Sequence, residues 1–257
     1  MSKQTETINT LRFVPCGHRR YLYIADDATM LAQAAAGFTS AAVSASEPES
    51  GRFTLALSGG RTPAMLYDAL VKNHGDSPDW PRVDFFWSDE RMVSHDHADS
   101  NYRLAHLGLL QPLAVSSQQI FAVATEHEPA VAAARYQQTI LDRMGPVPMF
   151  DMIFLGLGED GHTASLFPGT AALAEQSAFV AANHVAKLQS WRITFTYPLL
   201  RLARRIVFLV SGAGKAQVLA GIMAGTSNLP AALVHPVDGD VYWLMDQDAG
   251  AMLEKVL

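Results

Sequence analysis

An Asp-Gly-His triplet lies in a glycine-rich segment near the middle of the chain. Residues 154–169 read FLGLGEDGHTASLFPG, which places Asp160 two residues before His162. A carboxylate beside an imidazole can fix its tautomer and stabilise the imidazolium, an arrangement that suits a general base. The chain has nine histidines, and the adjacent glycines and carboxylate distinguish this one. We therefore take His162 and Asp160 as candidate catalytic residues.

The same segment also contains the spacing of a dinucleotide-binding turn, G-x-G-x-x-G, at Gly156, Gly158 and Gly161. In that fingerprint the third glycine opens a long helix that packs on the sheet. Pro168 and Gly169 follow Gly161 too closely to leave room for such a helix. The pattern favours a catalytic loop over a nicotinamide site.

A second glycine-rich stretch, residues 55–63, reads LALSGGRTP at the end of a predicted strand. Thr62 and Pro63 are expected to be the N-cap and the first residue of a helix. Free N–H groups and the helix dipole then favour an anion, and a phosphate is the natural ligand. The alternative is a tight turn that needs glycine for its geometry alone. The predicted phosphate-binding residues are Ser58, Gly59, Gly60 and Thr62.

Two cations follow other predicted strands. Arg91, in WSDER, comes directly after a strand, where a charged side chain would face the site. Lys215, in SGAGKA, resembles the lysine of a nucleotide P-loop, but Leu209 and Ala216 replace the required glycine and hydroxyl residue. We expect Lys215 to bind phosphate; the alternative is a solvated lysine at a helix start.

The segment from His95 to Asp99 reads HDHAD and superficially resembles a set of metal ligands. No recognised metal-site spacing accompanies it. We interpret it as a solvated loop and predict no metal site in the chain.

Short apolar runs alternate with helical segments along the chain. This alternation predicts an α/β fold in which helices cover both faces of a parallel sheet, with the ligand site beyond the carboxyl ends of the strands. No repeat is visible, and residues 44–51 (SASEPESG) are interpreted as a loop, so we expect residues 1–257 to form a single domain. The predicted strands are 53–57, 83–87, 151–155, 192–196, 206–210 and 241–245. The predicted helices are 64–72, 101–110, 130–143 and 215–224.

The composition limits the possible partners and the compartment. Hydrophobic residues make up 49% of the chain and charged residues 17%, as in soluble globular enzymes. The net charge of −6 argues against a nucleic-acid or anionic-membrane partner. Cys16 is the only cysteine, and the N-terminus is polar. We therefore expect a cytoplasmic protein with no membrane span.

Five motifs resemble, in order, the motif series of the 6-phosphogluconolactonase family. The run GEDGHTASLFP is highly specific, and SGAGKA extends the match. The resemblance implies a hydrolase of the oxidative pentose phosphate pathway, with a fold similar to glucosamine-6-phosphate deaminase and ribose-5-phosphate isomerase. The motifs are SGGRTP from Ser58, WSDER from Trp87, DSNYRLA from Asp99, GLGEDGHTASLFPG from Gly156 and RITFT from Arg192.

The resemblance also implies a substrate and roles for these residues. The substrate would be 6-phospho-D-glucono-1,5-lactone, and His162 would take a proton from the water that attacks C1. The glycine-rich stretch would hold the 6-phosphate with help from Arg91, Arg192 or Lys215, and Arg91 or backbone N–H groups would bind the oxyanion. No cofactor is implied. The only partner expected is the phosphosugar lactone, and the protein would be a monomer or a small homo-oligomer.

One departure from the family pattern and two alternative functions remain open. Family members often carry prolines just before R-I-T, whereas residues 186–191 read AKLQSW, so the resemblance assigns no role to Lys187. The first alternative is a sugar-phosphate isomerase or deaminase of the same fold; the deaminase carries a carboxylate where this chain has Phe167. A non-catalytic sugar-phosphate sensor would carry a helix-turn-helix, for which the segment before Phe53 is too short and too acidic.

Overall fold

The structure, a computed structural model, describes residues 11–46 and 51–253. The predicted loop 44–51 therefore lies partly outside the described residues, as does the polar N-terminus. The strands are β1 (Arg12–Pro15), β2 (Arg20–Ala25), β3 (Phe53–Leu57), β4 (Val83–Trp87), β5 (Asp89–Arg91), β6 (Met152–Leu155), β7 (Val180–Val185), β8 (Ser190–Phe195), β9 (Arg205–Val210) and β10 (Asp240–Asp246).

Helices connect most of these strands. They are α1 (Ala28–Ser44), α2 (Arg61–His74), α3 (Asn101–Ala105), α4 (Pro129–Met144), α5 (Tyr197–Leu200), α6 (Ala216–Met223) and α7 (Gln247–Gly250). A π-helical turn, His106–Leu110, continues α3, and a 3₁₀ turn, Ala213–Lys215, leads into α6. Other 3₁₀ turns are Trp80–Arg82, Ser117–Gln119, Ala171–Ala174, Ala186–Leu188 and Pro230–Leu233.

The main sheet has the strand order β1-β2-β10-β9-β6-β3-β4 and is parallel except for β1. Alternate side chains of each inner strand enter two different hydrophobic clusters. In β9, for example, Phe208 packs in the cluster with α4 and α6, whereas Leu209 packs in the cluster with α1 and α2. Because the side chains of a strand alternate between its faces, helices cover both faces of the sheet. The predicted fold class is confirmed.

The first helix and both strands before it were not predicted from the sequence. α1 has 17 residues, and its N-cap Asp27 accepts hydrogen bonds from the backbone N–H groups of Thr29 and Met30. Ten of its residues are buried, five of them alanines. The helix is covered on much of its circumference and lacks the polar stripe that makes a surface helix recognisable.

The strand predicted at 192–196 was assigned to the parallel sheet, and that assignment is wrong. It corresponds to β8, which pairs antiparallel with β5 and β7 in a separate three-stranded sheet. A tight connection explains the difference: the turn Ala186–Leu188 and left-handed Gln189 (φ 45°) join β7 directly to β8. A connection this short can link only antiparallel strands.

The main sheet changes its winding direction between β3 and β6. The chain runs from β3 to β4 on one side, whereas β6, β9 and β10 lie on the other side. Loops that leave neighbouring strands in opposite directions open a crevice beyond the carboxyl ends of those strands. The loops after β3 and β6 carry the two glycine-rich motifs, so this crevice is the expected ligand site.

Among the described residues, no helix has both the length and the apolarity to cross a bilayer.

Candidate active site

The loop that follows β6, residues 156–169 (the His162 loop), is shaped by its glycines. The N–H of Gly158 donates to the carbonyl of His162 at 2.8 Å, and Gly161 has a φ of 77°. A Cβ atom on Gly158 would lie 1.9 Å from Nδ1 of His162. The glycines therefore let the backbone fold tightly around the imidazole, which is a reason for the G-x-G-x-x-G spacing that involves no dinucleotide.

The imidazole of His162 contacts Asp160 and Phe167, and Lys187 contacts both of these residues. Nδ1 of His162 lies 2.5 Å from Oδ1 of Asp160, and Nζ of Lys187 donates to Oδ2 of the same carboxylate. The ring stacks on Phe167 with 3.9 Å between ring centroids, and Nζ of Lys187 lies 4.7 Å from the centre of the Phe167 ring. Because Asp160 binds Nδ1, the lone pair of the neutral imidazole resides on Nε2.

Burial lowers the pKa of His162 below its usual value, and the positive charge of Lys187 acts in the same direction. The negative charge of Asp160 raises the pKa of His162 but does not outweigh the effect of burial. Burial alone would raise the pKa of Asp160, but hydrogen bonds from Lys187 and His162 hold it well below its usual value. Near neutral pH the pair is therefore a neutral imidazole and an ionised carboxylate, the state that a general base requires.

His162 lines a cavity of about 200 Å³, the His162 cavity, together with cations from the small sheet. Arg91 and Arg192 are register partners on β5 and β8. Nε of each arginine is buried and has no hydrogen-bond partner among the described residues. Burial and the neighbouring Arg91 lower the pKa of Arg192. Two adjacent guanidinium groups with unused donors favour an anion between them. The other lining residues are Asp89, Ala164, Ser165, Phe167, Lys187 and Leu188.

A second cavity, of about 410 Å³, lies over the loop that follows β3 (residues 58–62, the glycine loop). A Cβ atom on Gly59 would lie 1.8 Å from Oδ1 of Asn101, and Gly60 has a φ of 105°, so the loop needs both glycines. Nζ of Lys215 lies 3.9 Å from Oε1 of Glu159 across the cavity. We call it the glycine-loop cavity; its lining residues are 59–63, 156, 157, 159, 209, 211, 212, 214 and 215.

A family model described as "Glucosamine-6-phosphate isomerases/6-phosphogluconolactonase" matches residues 26–243. The chain belongs to this family. A 6-phosphogluconolactonase from a Synechocystis species is 41% identical over 213 residues, which cover 80% of this chain and 86% of the relative. The corresponding Nostoc protein is 39% identical with the same coverage.

Solved structures of the family share the fold. The 6-phosphogluconolactonase from Trypanosoma cruzi superposes with a TM-score of 0.82 and 29% identity, covering 90% of this chain and 96% of that one. The 6-phosphogluconolactonase from Trypanosoma brucei gives 0.81 and 28%, covering 94% and 100%. The crevice described above therefore belongs to a fold seen in solved structures.

The structure divides the residues predicted for this family site between the two cavities. His162, Arg91 and Arg192 line the His162 cavity, with Asp160 behind the imidazole. Gly59, Gly60, Thr62 and Lys215 line the glycine-loop cavity. The two cavities are neighbours, because the His162 loop contributes Gly156, Leu157 and Glu159 to the second.

Two details of the glycine loop differ from expectation. Ser58 is buried, its backbone N–H and carbonyl both bond to the hydroxyl of Tyr67, at 3.2 and 2.6 Å, and it does not line the glycine-loop cavity. The predicted N-cap is wrong: α2 begins at Arg61 with Gly60 as its N-cap, and Thr62 and Pro63 are its second and third residues. The positive φ of Gly60 starts the helix earlier than a side-chain cap at Thr62 would.

A buried polar network beside His162 was not predicted from the sequence. Asp89 accepts hydrogen bonds from the hydroxyl of Ser165 at 2.6 Å and from Nδ2 of Asn101 at 3.1 Å. Glu90 accepts bonds from the backbone N–H groups of Asn101 and Tyr102 at the start of α3, so it fixes that helix and does not face the cavity. The motif WSDER marked these acids, but no spacing in the sequence indicates which of them reaches Ser165.

Proposed function

We propose that the protein hydrolyses 6-phospho-D-glucono-1,5-lactone to 6-phospho-D-gluconate, a reaction of the oxidative pentose phosphate pathway. The observation that carries the proposal is the 2.5 Å contact between Asp160 and Nδ1 of His162, beside a cavity lined by two arginines whose buried Nε atoms have no hydrogen-bond partner among the described residues. Relatives named 6-phosphogluconolactonase, at about 40% identity over most of the chain, support the same substrate.

In the proposed reaction, Nε2 of His162 takes a proton from a water molecule as its oxygen attacks C1 of the lactone. Asp160 stabilises the imidazolium that forms. The C1 carbonyl becomes an oxyanion, and collapse of the tetrahedral intermediate breaks the bond between C1 and the ring oxygen. The imidazolium returns its proton to that ring oxygen, which leaves as a hydroxyl group. A positioned base contributes about 10²–10⁴-fold to such a step.

We assign the cations to the two ends of the substrate by cavity. Arg91 and Arg192 line the cavity of His162, so their donors lie near the carbonyl that becomes the oxyanion. Lys215 and the N–H groups at the start of α2 lie in the glycine-loop cavity and would bind the 6-phosphate. This division supports a substrate that spans both cavities.

Ring-opening chemistry is the nearest alternative, and Phe167 argues against it. Phe167 occupies the position of the carboxylate expected in a deaminase of this fold, and it stacks on His162. An aromatic hydrocarbon ring cannot relay a proton. A regulator with a helix-turn-helix is also disfavoured, because residues 11–46 form two strands and one helix.

The test is hydrolysis of freshly prepared 6-phosphogluconolactone by the purified protein, corrected for the uncatalysed rate. We expect kcat/KM to be far higher for this lactone than for glucono-1,5-lactone, because Lys215 and the glycine loop bind the phosphate. Equal values would show that the glycine loop is structural. No acceleration over water, or ammonia release from glucosamine 6-phosphate, would refute the function.

Domain organisation, oligomeric state, cellular location and metal dependence are the subjects of further proposals. We propose that residues 1–257 form one folded unit, active as a monomer or small homo-oligomer in the cytoplasm without a nucleic-acid or membrane partner. The net charge of −6 and the single cysteine support this view. We propose further that hydrolysis needs no metal, so activity should survive extended treatment with a strong chelator. Light scattering during size-exclusion chromatography measures the oligomeric state.

A further inference from the structure

A cavity of about 370 Å³ lies at the edge of the main sheet opposite the candidate active site. Its residues belong to the amino ends of β2 and β10, where Arg20 is in register with Val241. The catalytic loops follow the carboxyl ends of the sheet, about 20 Å away by the length of a six-residue strand. We call it the basic cavity; its lining residues are His18, Arg19, Arg20, residues 235–239 and Val241.

The arginines of the basic cavity have unused hydrogen-bonding capacity. Nε of Arg20 is buried without a hydrogen-bond partner in the described part of the chain. Neither Arg19 nor Arg20 forms an ion pair with another described residue. A buried donor without an acceptor is unfavourable, so a ligand that supplies oxygen acceptors would be stabilised there.

The electrostatic environment of the basic cavity is positive although the whole chain carries a net charge of −6. Burial lowers the pKa of His235, and the positive charges of Arg20 and Arg201 lower it further. Asp238 is the single carboxylate among the lining residues, against two guanidinium groups. The excess positive charge favours an anionic ligand.

The backbone conformation of Arg19 is another feature of the basic cavity. Arg19 has a φ of 54°, a left-handed conformation that is uncommon outside glycine, while its carbonyl accepts the N–H of Val241 at 2.9 Å. Such a conformation persists only where the surrounding structure fixes it, and it often marks a binding site. Here it places two consecutive arginines beside the same cavity.

We propose that the basic cavity binds a small phosphate monoester that carries hydroxyl groups. The guanidinium groups of Arg19 and Arg20 hold the phosphate, since their paired donors match its oxygens. Asp238 accepts hydrogen bonds from the hydroxyl groups. The volume of the cavity falls within the range of small-molecule sites. This site is independent of the proposed lactonase reaction, because it shares no residue with the two cavities of that reaction.

The imidazole signals of His18 and His235 in NMR spectra test the proposal, because both rings line the cavity. They are assigned with His18→Gln and His235→Gln. Titration with inorganic phosphate, and separately with glycerol 3-phosphate, should shift both signals in a saturable way. Glycerol 3-phosphate should bind more tightly, because Asp238 can accept from its hydroxyl groups. Asp238→Ala should reduce that difference.

Arg20→Gln should weaken binding about ten-fold or more, the effect of losing a charge-assisted hydrogen bond. Arg19→Gly should do the same, and it suits the backbone because glycine accepts the positive φ. It therefore serves as a second variant if Arg20→Gln fails to fold. Arg135→Gln, an exposed arginine on α4, is the matched control and should bind like the wild type.

Four results would overturn the proposal, three with soluble ligands and one with vesicles. The first is no saturable shift with either ligand, and the second is a shift that sodium chloride reproduces at equal ionic strength. The third is equal binding by the wild type and Arg19→Gly. Vesicles that contain phosphatidic acid carry the same phosphate chemistry. Flotation of the protein with these vesicles, without binding of glycerol 3-phosphate, would replace the small-molecule ligand by a lipid headgroup and refute the assignment.

Discussion

Asp160→Asn changes one charge in the candidate catalytic pair and leaves the shape of the loop nearly unaltered. In the wild type both carboxylate oxygens are acceptors. Oδ1 accepts a hydrogen bond from Nδ1 of His162, and Oδ2 accepts one from Nζ of Lys187. An amide offers one acceptor and one donor group. If its oxygen stays on Lys187, its NH₂ faces Nδ1 of His162, and the imidazole must place its proton on Nε2. That tautomer cannot take a proton from water.

The expected decrease in kcat follows from the strength of the hydrogen bond that sets the orientation of the side-chain amide. A hydrogen bond to a charged group contributes about 1.5–3 kcal/mol, and Lys187 makes such a bond to Asp160. If that energy holds the amide in the unproductive orientation, the productive tautomer is reduced about 10- to 100-fold. We therefore expect kcat to fall by about 10- to 100-fold in Asp160→Asn, with little change in the affinity for 6-phosphogluconate.

Lys187→Met in the Asp160→Asn background removes the donor that holds the amide in the unproductive orientation. The amide oxygen can then turn to His162, so the double variant should recover part of the lost kcat. Steady-state rates with fresh lactone, and inhibition by 6-phosphogluconate, measure the two quantities for each variant. Wild-type kcat in Asp160→Asn would show that Asp160 does not orient His162. A double variant slower than Asp160→Asn would refute the role assigned to Lys187.

Four further predictions concern single substitutions. His162→Ala should lower kcat by about 10²–10⁴ with unchanged product affinity, and a wild-type kcat would place the base elsewhere. Lys187→Met should move the acid limb of the kcat–pH profile to higher pH, since the loss of a cation raises the pKa of His162. The shift should stay under about one unit because Lys187 is half-exposed; a downward shift would contradict this reasoning. Lys215→Ala should raise KM and leave kcat intact, whereas a pure kcat effect would make it an oxyanion donor. Asp84→Ala should lower the free energy of unfolding by about 3 kcal/mol in urea denaturation, because it removes a buried carboxylate that pairs with both Arg52 and Arg143; a change below about 1 kcal/mol would contradict that estimate.

The elements predicted most accurately are those with a strong local pattern. β3 and β4 begin and end at the predicted residues, because each is a mainly apolar run in which all five residues are buried. The helix predicted at 130–143 is α4, extended by one residue at each end. By contrast, α1 is rich in alanine and largely buried, and half of β7 (VAANHV) consists of alanine and asparagine, which are depleted in strands.

The same distinction between local and distant information applies to the candidate site. His162 and Asp160 were predicted together because they are two residues apart. Asp89 and Ser165 are 76 residues apart, and Lys187 and Asp160 are 27 apart, so only the fold brings each pair together. The division of the predicted cations between two cavities depends on the antiparallel sheet, which has no signature in the sequence alternation.

The small sheet of β5, β8 and β7 has a consequence for redesign of substrate preference. It joins the main sheet through Ser88, which is buried and bonds to the carbonyls of Leu57 and Phe154 at 3.1 and 3.2 Å. Arg91 and Arg192 are register partners on this sheet. A change in the way that the small sheet is attached to the main sheet would therefore displace both arginines together. A laboratory variant for a different lactone would therefore be built more readily by exchanging β5, β7 and β8 as one module than by replacing either arginine alone.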